Sequence, residues 1–328
     1  MTHHCILCGS ERSSLLFRGH DWLHHSQVVA DLLQCAGCGL IWLWPQPASA
    51  LEAYPPTYAP HQGIDATTGV ARGYGQRRGL ARKVRLAQLY GRGPFLDIGC
   101  AAGDFLETMR DQGAGPLLGM DIHEEAVQLA RERSGALVWV GSELALPLGE
   151  GSIGTVTLWH VLEHLPQPLE ALCEITRVLG GDGILLLACP MADSWEARLF
   201  GQHWAGYDVP RHLFAFSRKT LPCLLEQAGL APTEVHGVVY GYNSARLSAA
   251  FWLRQFSFFR DRPRWLDVAA DMLGACSALA CELLSRLFGN HRAVAAGAAR
   301  STNRRPPSGG KRSAAAIYWS EPAAIWKT

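Results

Sequence analysis

The chain has 328 residues, of which 48% are hydrophobic, and it carries 30 Lys and Arg residues against 29 Asp and Glu residues. A chain of this length and composition buries a full core, which excludes a disordered or fibrous protein and predicts an ordinary α/β domain with additions. The near-zero net charge excludes a global field that would recruit nucleic acid or a membrane, so such a role would need a local patch.

The first residues, MTHHCILCGS, lack the charged and then apolar run of a signal peptide, and we expect a cytoplasmic, reducing location. The chain holds ten cysteines, several of them in apolar stretches, such as Cys173, Cys189 and Cys223. This distribution is typical of reduced core thiols and not of a disulfide framework.

Residues 1–47 contain two Cys-x-x-Cys pairs, Cys5 with Cys8 and Cys35 with Cys38. Each short turn lets two sulfurs point at one ion, and four thiolates complete the tetrahedral shell of a structural zinc. Because no position is left for a water, the predicted role is to stabilise a small zinc-ribbon-like module with little core of its own. The alternative, a thioredoxin-like redox pair, lacks the surrounding βαβ pattern.

Residues 48–92 are predicted to form a linker followed by a basic helix. Proline, glycine and tyrosine break any periodicity in the first part. The helix carries six basic residues, Arg72, Arg77, Arg78, Arg82, Lys83 and Arg85. They indicate either a solvated helix face or a contact for a phosphate-bearing or otherwise anionic substrate.

Residues 93–242 alternate between strand and helix patterns. Strands are predicted at 94–98, 117–121, 136–140, 153–159, 183–189 and 232–242, and helices at about 103–112, 123–133 and 167–179. Such alternation predicts a parallel, doubly wound α/β sheet whose ligand lies at the carboxyl ends of the strands.

Residues 95–106, FLDIGCAAGDFL, join the first of these strands to a turn of small residues. A dinucleotide site would need glycines that admit a pyrophosphate, whereas here Asp97 and Asp104 flank the loop and would repel one. Carboxylates suit a ligand with cationic groups and no phosphate, which is S-adenosylmethionine.

The stretch DIGCAAG resembles the first motif of the class I S-adenosylmethionine-dependent methyltransferases, with Ala101 in place of the middle glycine. The resemblance implies a Rossmann-like, seven-stranded sheet and S-adenosylmethionine as cofactor. Asp121 ends the next strand, where a carboxylate accepts hydrogen bonds from both ribose hydroxyls. The family usually has Phe-Asp where this chain has Ile153 and Gly154, so any role of that aspartate is absent. The cofactor-binding residues that the resemblance implies are Asp97, Gly99, Cys100, Gly103, Asp121, Ile122, Ser142, Glu143, Leu144, Trp159 and His160.

The stretch HVLEH also fits the pattern of inverted zinc peptidases, in which a helix presents two histidines on one face. We expect His160 to occupy the turn at the end of the preceding strand, which would prevent that arrangement. Glu163 and His164 are expected in a loop that closes one side of the substrate site, or in a purely structural role.

The segment DVPRHL and the amphipathic helix after it resemble a bacterial subgroup of this family. Its members often carry an N-terminal cysteine-rich zinc module and occur in glycan, lipopolysaccharide and secondary-metabolite pathways. His212 is the first candidate base, since histidine titrates near neutral pH, and Asp208 is expected to orient it. His164 and His160 are the other candidates; alternatively, Arg211 and His212 only tie the loop to the sheet.

Residues 243–328 are predicted to form a helical insertion, a mobile loop and a final strand at 314–319. The apolar segment 265–288 contains Asp267, Asp271, Glu282 and Arg286, which argue against a transmembrane helix. A substrate lid, a dimer contact or a peripheral membrane contact is expected instead.

The sequence therefore predicts a methyltransferase for a small hydroxylated acceptor, most plausibly sugar-containing or lipid-linked, with O-methylation favoured. Three alternatives remain: C-methylation of a nucleotide-linked ketosugar, RNA methylation, and a non-catalytic S-adenosylmethionine-binding module. The balanced charge argues against an RNA substrate.

Overall fold

The structure is a computed structural model that describes residues 4–24, 26–47, 70–237, 241–255, 269, 272–274, 276, 277, 280 and 293–300. The predicted final strand at 314–319, most of the linker and most of the apolar segment 265–288 lie outside these residues. Within the described part of the chain, no helix combines the length and the apolar character that crossing a membrane requires.

The N-terminal residues build a small antiparallel sheet. Its strands are β1 (Ser13–His20), β2 (Val29–Cys35) and β3 (Ile41–Trp44), joined in that order by β9 (Phe214–Ala215). β9 pairs with β3 through Ile41 opposite Ala215 and Trp42 opposite Phe214. A segment that follows the central sheet by many residues thus completes the N-terminal sheet.

The second sheet has the strand order β10-β11-β8-β7-β4-β5-β6, and its five strands from β4 to β8 run parallel. Their bounds are β4 Phe95–Ile98, β5 Leu117–Asp121, β6 Leu137–Val140, β7 Ile153–Trp159 and β8 Leu179–Pro190, followed by β10 Leu230–Gly237 and β11 Ala293–Arg300. The prediction of a parallel, doubly wound α/β sheet is confirmed for these five strands.

The helices whose bounds the structure gives accompany the two sheets. They are α1 Val70–Tyr90, α2 Asp104–Asp111, α3 Glu124–Ser134, α4 Pro168–Val178, α5 Trp195–Phe200, α6 Thr220–Gln227 and α7 Gly241–Arg254. The bounds of α2, α3 and α4 agree with the predicted helices to within one or two residues.

Apart from the edge strand β6, the parallel strands are buried on both faces, which explains their continuous apolar runs. In β8, Ile184 and Leu186 pack with α1, α2 and α3, whereas Leu185 and Leu187 pack with α4 and α6. This alternation follows from the two-residue period of a strand, and it places helices on each side of the sheet.

One expectation for the C-terminal part is wrong. Residues 293–300 fall in the predicted helical insertion, but they form β11, which lies antiparallel between β8 and β10. The segment AVAAGAAR is rich in alanine, which has the highest helix propensity. Pairing with a strand on each side overrides that local preference, which sequence periodicity does not reveal.

The N-terminal sheet shares its core with the second sheet. One continuous cluster of buried side chains includes Leu40 and Leu43 from the first and Leu158 and Leu187 from the second. The zinc-ribbon-like prediction for residues 1–47 assumed a module with little core of its own. In the structure, that core is supplied jointly by both parts of the chain.

Candidate active site

The turn after β4 contains glycines at positions where a side chain has no room. Gly99 has a φ of +71°, and a Cβ there would lie 2.5 Å from Cγ2 of Val161. Gly103 has a φ of +80°, and its Cβ would lie 2.9 Å from Cα of Ala130. The loop at the carboxyl end of β4 is therefore pressed against both α3 and the turn after β7.

Asp121 fixes this loop from the end of the neighbouring strand β5. Its side chain is 6% exposed and accepts hydrogen bonds from the backbone N–H groups of Ala101, at 2.9 Å, and His123, at 3.0 Å. The next residue, Ile122, is partly exposed. The carboxylate predicted for the ribose thus lies directly beside the small-residue turn.

Asp97 lies within β4, just before the turn, and is 3% exposed. The Thr157 hydroxyl donates a 2.6 Å hydrogen bond to it. Burial raises the pKa of Asp97 to about 7, with a further increase from Asp121, against the lowering effects of Thr157 and the Lys83 ammonium. Near neutral pH this carboxyl therefore titrates, and a nearby cation would favour its charged form.

Asp104 does not contribute a free charge to the loop. Nη2 of Arg133 lies 2.8 Å from the Asp104 carboxylate and 2.6 Å from that of Glu107. Asp104 is one of the two carboxylates expected to repel a pyrophosphate. In the structure its charge is balanced by Arg133 of α3. The argument therefore depends on Asp97 and Asp121.

Several of the implied cofactor residues bury their side chains. Cys100 and Trp159 belong to the apolar cluster beneath α1, α2 and α3, where the Trp159 indole packs edge-on against Phe105 at 5.6 Å. The Lys83 ammonium lies 5.4 Å from the indole centroid. The side chains of Cys100 and Trp159 therefore pack in the core beneath the loop. Only the backbone of Cys100 lies at the ends of the strands.

Residues Ser142, Glu143 and Leu144 follow β6 as a short turn. The Ser142 hydroxyl accepts a hydrogen bond from the Leu144 N–H at 3.2 Å. Glu143 is 9% exposed, whereas Leu144 is 38% exposed. The exposed leucine at the edge of the strand ends offers an apolar surface to a flat ring.

His160 occupies the turn at the end of β7, as predicted, with a φ of 63° and its N–H donating to the Ala188 carbonyl at 2.8 Å. A single 3₁₀ turn, Leu162–His164, follows it. Because this stretch is not an α-helix, His160 and His164 do not share the helical face that an inverted zinc peptidase requires.

Two imidazoles and a carboxylate converge beside this turn. Nδ1 of His164 donates to the Arg211 carbonyl at 3.0 Å, and Nδ1 of His212 donates to the Gly206 carbonyl at 2.7 Å. The two rings stand edge to face, with centroids 4.6 Å apart. A carbonyl oxygen only accepts, so each neutral ring keeps an Nε2 lone pair. We call Glu163, His164 and His212 the histidine-carboxylate cluster, because one ligand atom of each lies within 4.8 Å of the other two.

Burial and charge set the protonation of this cluster. Burial, with a smaller effect of His212, lowers the pKa of His164 to about 4, so the ring is neutral at pH 7. Glu163 is 1% exposed; Nδ1 of His160 lies 3.3 Å from its Oε1, and Oε2 accepts no hydrogen bond from any described residue. Burial alone would raise the pKa of Glu163, but the imidazoles of His160, His164 and His212 lower it to about 2.

Asp208 has a different partner from the one predicted. It pairs with Arg211, whose Nε lies 2.9 Å from Oδ2, and the same guanidinium reaches Asp21 of the N-terminal region at 2.8 Å. The group that orients His212 is the Gly206 carbonyl. The sequence did not predict the contact of His212 with the Gly206 carbonyl or the pairing of Arg211 with Asp21, because neither contact belongs to a recognisable motif. Glu163, in contrast, could be found from its position in HVLEH.

The four N-terminal cysteines lie together. One sulfur pair, Cys5 with Cys38, and the other, Cys8 with Cys35, are each 3.5 Å apart, and all four atoms fall within 4.8 Å of one another. Burial would raise the pKa of Cys35, but N–H groups of Cys38 and Gly37 that donate to its sulfur lower it to about 6. Thiolates bound tetrahedrally to one zinc are about 3.8 Å apart, so the set fits this ion.

The parallel sheet, the glycine turn and the two strand-end carboxylates together define a nucleotide-type cofactor-binding domain. Residues 73–235 match the family model described as methyltransferase domain. A probable S-adenosylmethionine-dependent methyltransferase of Mycolicibacterium smegmatis is 28% identical over 59% of this chain and 74% of its own length. Residues 73–235 thus match a methyltransferase domain, and the relatives indicate an S-adenosylmethionine-dependent methyltransferase, as predicted.

Other proteins match different shares of the chain. An uncharacterised 37.1 kDa protein in transposon Tn4556 of Streptomyces fradiae is 36% identical over 39% of this chain, which spans 38% of that protein. A ubiquinone biosynthesis O-methyltransferase of Thiobacillus denitrificans is 27% identical over 44% of this chain and 67% of its own. A solved S-adenosylmethionine-dependent methyltransferase from Archaeoglobus fulgidus, 19% identical, covers 67% of this chain and 93% of its own with a TM-score of 0.44.

Proposed function

We propose that this chain transfers a methyl group from S-adenosylmethionine to a hydroxyl oxygen of a small acceptor. The observation that carries the proposal is the histidine-carboxylate cluster. Its two partly exposed imidazoles lie beside the turn after β7, the strand that pairs with β4 and its glycine turn. Groups that bind a hydroxyl proton and groups that bind the cofactor thus meet at one edge of the sheet.

The cofactor fits the residues at this edge. Asp121 would accept hydrogen bonds from the ribose hydroxyls, and the buried Asp97 would favour the cationic amino acid part. The turn at Ser142, Glu143 and Leu144 would border the adenine, and the backbone around Trp159 and His160 the methionine part. When bound, S-adenosylmethionine supplies a methyl group on a sulfonium whose sulfur accepts the electron pair of the broken bond.

The protein must align the acceptor and take up its hydroxyl proton. His212 and His164 each keep an Nε2 lone pair, because Nδ1 is held by a backbone carbonyl. We propose His212 as the group that accepts this proton, with His164 beside it. Asp208 is a positioning residue, since it acts through the Arg211 guanidinium on the loop that carries His212.

We further propose that Cys5, Cys8, Cys35 and Cys38 hold a structural zinc ion, on the grounds of their spacing and sulfur geometry. The acceptor is proposed to be sugar-containing or lipid-linked. The name of the Thiobacillus relative supports oxygen as the methylated atom. Arg77, Arg78 and Arg85 of α1 are exposed and would suit a nucleotide-linked sugar, so C-methylation of such a substrate is the second candidate.

The test combines cofactor binding with turnover. Calorimetry should show saturable binding of S-adenosylmethionine and none of NAD(P)H, and Asp121→Ala should weaken it at least tenfold. His212→Gln should bind the cofactor with unchanged affinity yet lose methyl transfer to a panel of hydroxylated sugars and lipid-linked sugars, followed by methoxy signals in NMR. Tight binding without methyl transfer to any acceptor would instead identify a non-catalytic binding module.

A further inference from the structure

We propose that Glu163, His164 and His212 form a binding site for one divalent transition-metal ion, distinct from the cysteine site. The inference deepens the proposed function, on which it rests for the statement that the acceptor oxygen lies beside this cluster. The metal-binding claim itself depends only on the geometry of the three side chains.

The first argument is the distance between the donor atoms. One ligand atom of each residue lies within 4.8 Å of the other two. Two nitrogen or oxygen donors on one ion are at most about 4.2 Å apart. Each separation exceeds this limit by at most about 0.6 Å, so small side-chain rotations would bring the three donors to a common ion.

The second argument is the tautomer of the histidines. Both rings donate Nδ1–H to a backbone carbonyl, that of Arg211 for His164 and that of Gly206 for His212. This is the outer-sphere arrangement that metal-binding histidines show, because it orients the ring and leaves Nε2 as the donor. Here the carbonyls of two different residues fix this tautomer in two imidazole rings that contact each other.

The third argument is the buried carboxylate. Glu163 is 1% exposed, and its Oε2 accepts no hydrogen bond from the residues that the structure describes. Such a group is costly unless a positive charge compensates it. His160 lies 3.3 Å from one oxygen, and a divalent ion bound by His164 and His212 would compensate the negative charge.

The donor set indicates the kind of ion. Two imidazoles and one carboxylate with open positions suit Mn²⁺, Fe²⁺ or another first-row ion, whereas the four thiolates select zinc. Because both histidines are partly exposed, the open positions can be reached by an acceptor hydroxyl. The bound hydroxyl would lose its proton more readily, to solvent, and the resulting oxyanion would attack the methyl carbon. In the metal-bound enzyme His212 is then a ligand and not the proton acceptor.

The experiment uses the full chain loaded with zinc at the cysteines and titrated with Mn²⁺, followed by the loss of the free-ion electron paramagnetic resonance signal. We expect one Mn²⁺ per chain and, in pulsed spectra, nitrogen couplings from imidazole. Glu163→Gln and His164→Gln should each weaken Mn²⁺ binding at least tenfold. Two exposed positions outside the cluster, His24→Gln and Glu132→Gln, serve as matched controls and should leave it unchanged.

S-adenosylmethionine affinity measured on the same samples separates the two proposals. Intact cofactor binding without stoichiometric Mn²⁺ binding, or Mn²⁺ binding that Glu163→Gln and His164→Gln leave unchanged, would overturn the metal site and leave the proposed function standing. Cluster-dependent Mn²⁺ binding in a chain that does not bind the cofactor would confirm the metal site and overturn the function.

Discussion

Ala101 adopts a backbone conformation that glycine adopts at lower cost. Its φ of 47° lies in the left-handed region, where a Cβ costs about 1–2 kcal/mol. Glycine loses about 0.4–1 kcal/mol through its freer unfolded chain. We therefore expect Ala101→Gly to raise the free energy of unfolding slightly, by up to about 1 kcal/mol, measured by thermal denaturation. The control is Ala81→Gly at an exposed position of helix α1, which should lower the free energy of unfolding by about 1 kcal/mol. If both substitutions changed the free energy of unfolding in the same direction, the backbone conformation of Ala101 would not be the cause.

We expect Asp97 to couple cofactor binding to pH. Its pKa is raised to about 7, so below pH 7 the ligand-free carboxyl carries a proton. A cationic ligand favours the ionised form, so binding must release this proton, and affinity for S-adenosylmethionine should rise as the pH increases through 7. Calorimetry at pH 6.5 in buffers of different ionisation enthalpy measures the release. Asp97→Asn should abolish this part of the pH dependence, and an identical proton release in the variant would refute the assignment.

At the scale of elements, one buried guanidinium connects two segments that are far apart in the sequence. Arg211 is 2% exposed and holds Asp208 of its own loop and Asp21 of the turn after β1. Removing it leaves the buried Asp21 and the partly buried Asp208 without their cation, which costs about 3–5 kcal/mol. We expect this loss for Arg211→Met in urea denaturation. The half-exposed pair of Arg218 with Asp193 provides the control, and Arg218→Met should cost less than about 1 kcal/mol.

The same ion-pair network predicts that the free energy of unfolding falls at acid pH. Burial would raise the pKa of Asp21, but hydrogen bonds from Arg211, His24 and Ser26 lower it to about 2, below its ordinary value of 3.8. A carboxyl with a lowered pKa contributes stability that is complete above 3.8 and is lost as the pH falls towards 2. Asp21→Asn should therefore flatten the decline of the free energy of unfolding in that window. An unaltered decline would show that other carboxyls cause it.

The parallel strands could be predicted from the sequence because each is an apolar run separated by amphipathic segments, a local signal. β11 could not, because its alanine-rich sequence becomes a strand only between β8 and β10. Gly154, where the family usually has an aspartate, is a second feature that the sequence does not explain. A Cβ at this position would lie 2.5 Å from the Arg92 carbonyl oxygen, so the structure leaves no room for a side chain. That contact joins residues far apart in sequence.

In the candidate site, the order of the motifs predicts the carboxylates Asp97 and Asp121 on β4 and β5. It does not predict which groups contact the side chains of the loop that carries His212. Asp208 precedes His212 by four residues and was the natural choice to orient it, yet the nearby Arg211 takes both of its oxygens. A guanidinium with two matched acceptors outcompetes an imidazole for a carboxylate. The Gly206 carbonyl then fills the vacant role, which no side-chain motif records.

For the molecule as a whole, the N-terminal sheet contacts the part of the chain that carries the proposed acceptor site. β3 pairs with β9, which begins two residues after His212, and the Gln227 side chain donates to the Leu7 carbonyl at 2.8 Å. The Arg254 guanidinium of α7 donates to the Trp22 carbonyl at 3.1 Å. The cofactor carboxylates lie on β4 and β5, which make no strand pair with that sheet.

Loss of the proposed zinc should therefore affect the two halves of the site unequally. In Cys8→Ser, we expect zinc content to fall and Mn²⁺ binding at the histidine-carboxylate cluster to weaken at least tenfold, because the loop before β9 loses its support. The affinity for S-adenosylmethionine should stay within twofold, since the glycine turn and Asp121 hold each other. Metal analysis and calorimetry measure both, with Cys223→Ser, at an exposed cysteine of α6, as the control. If both affinities fell together, the shared core would be transmitting the loss to the whole molecule, and the cysteine site would stabilise the fold without favouring either half.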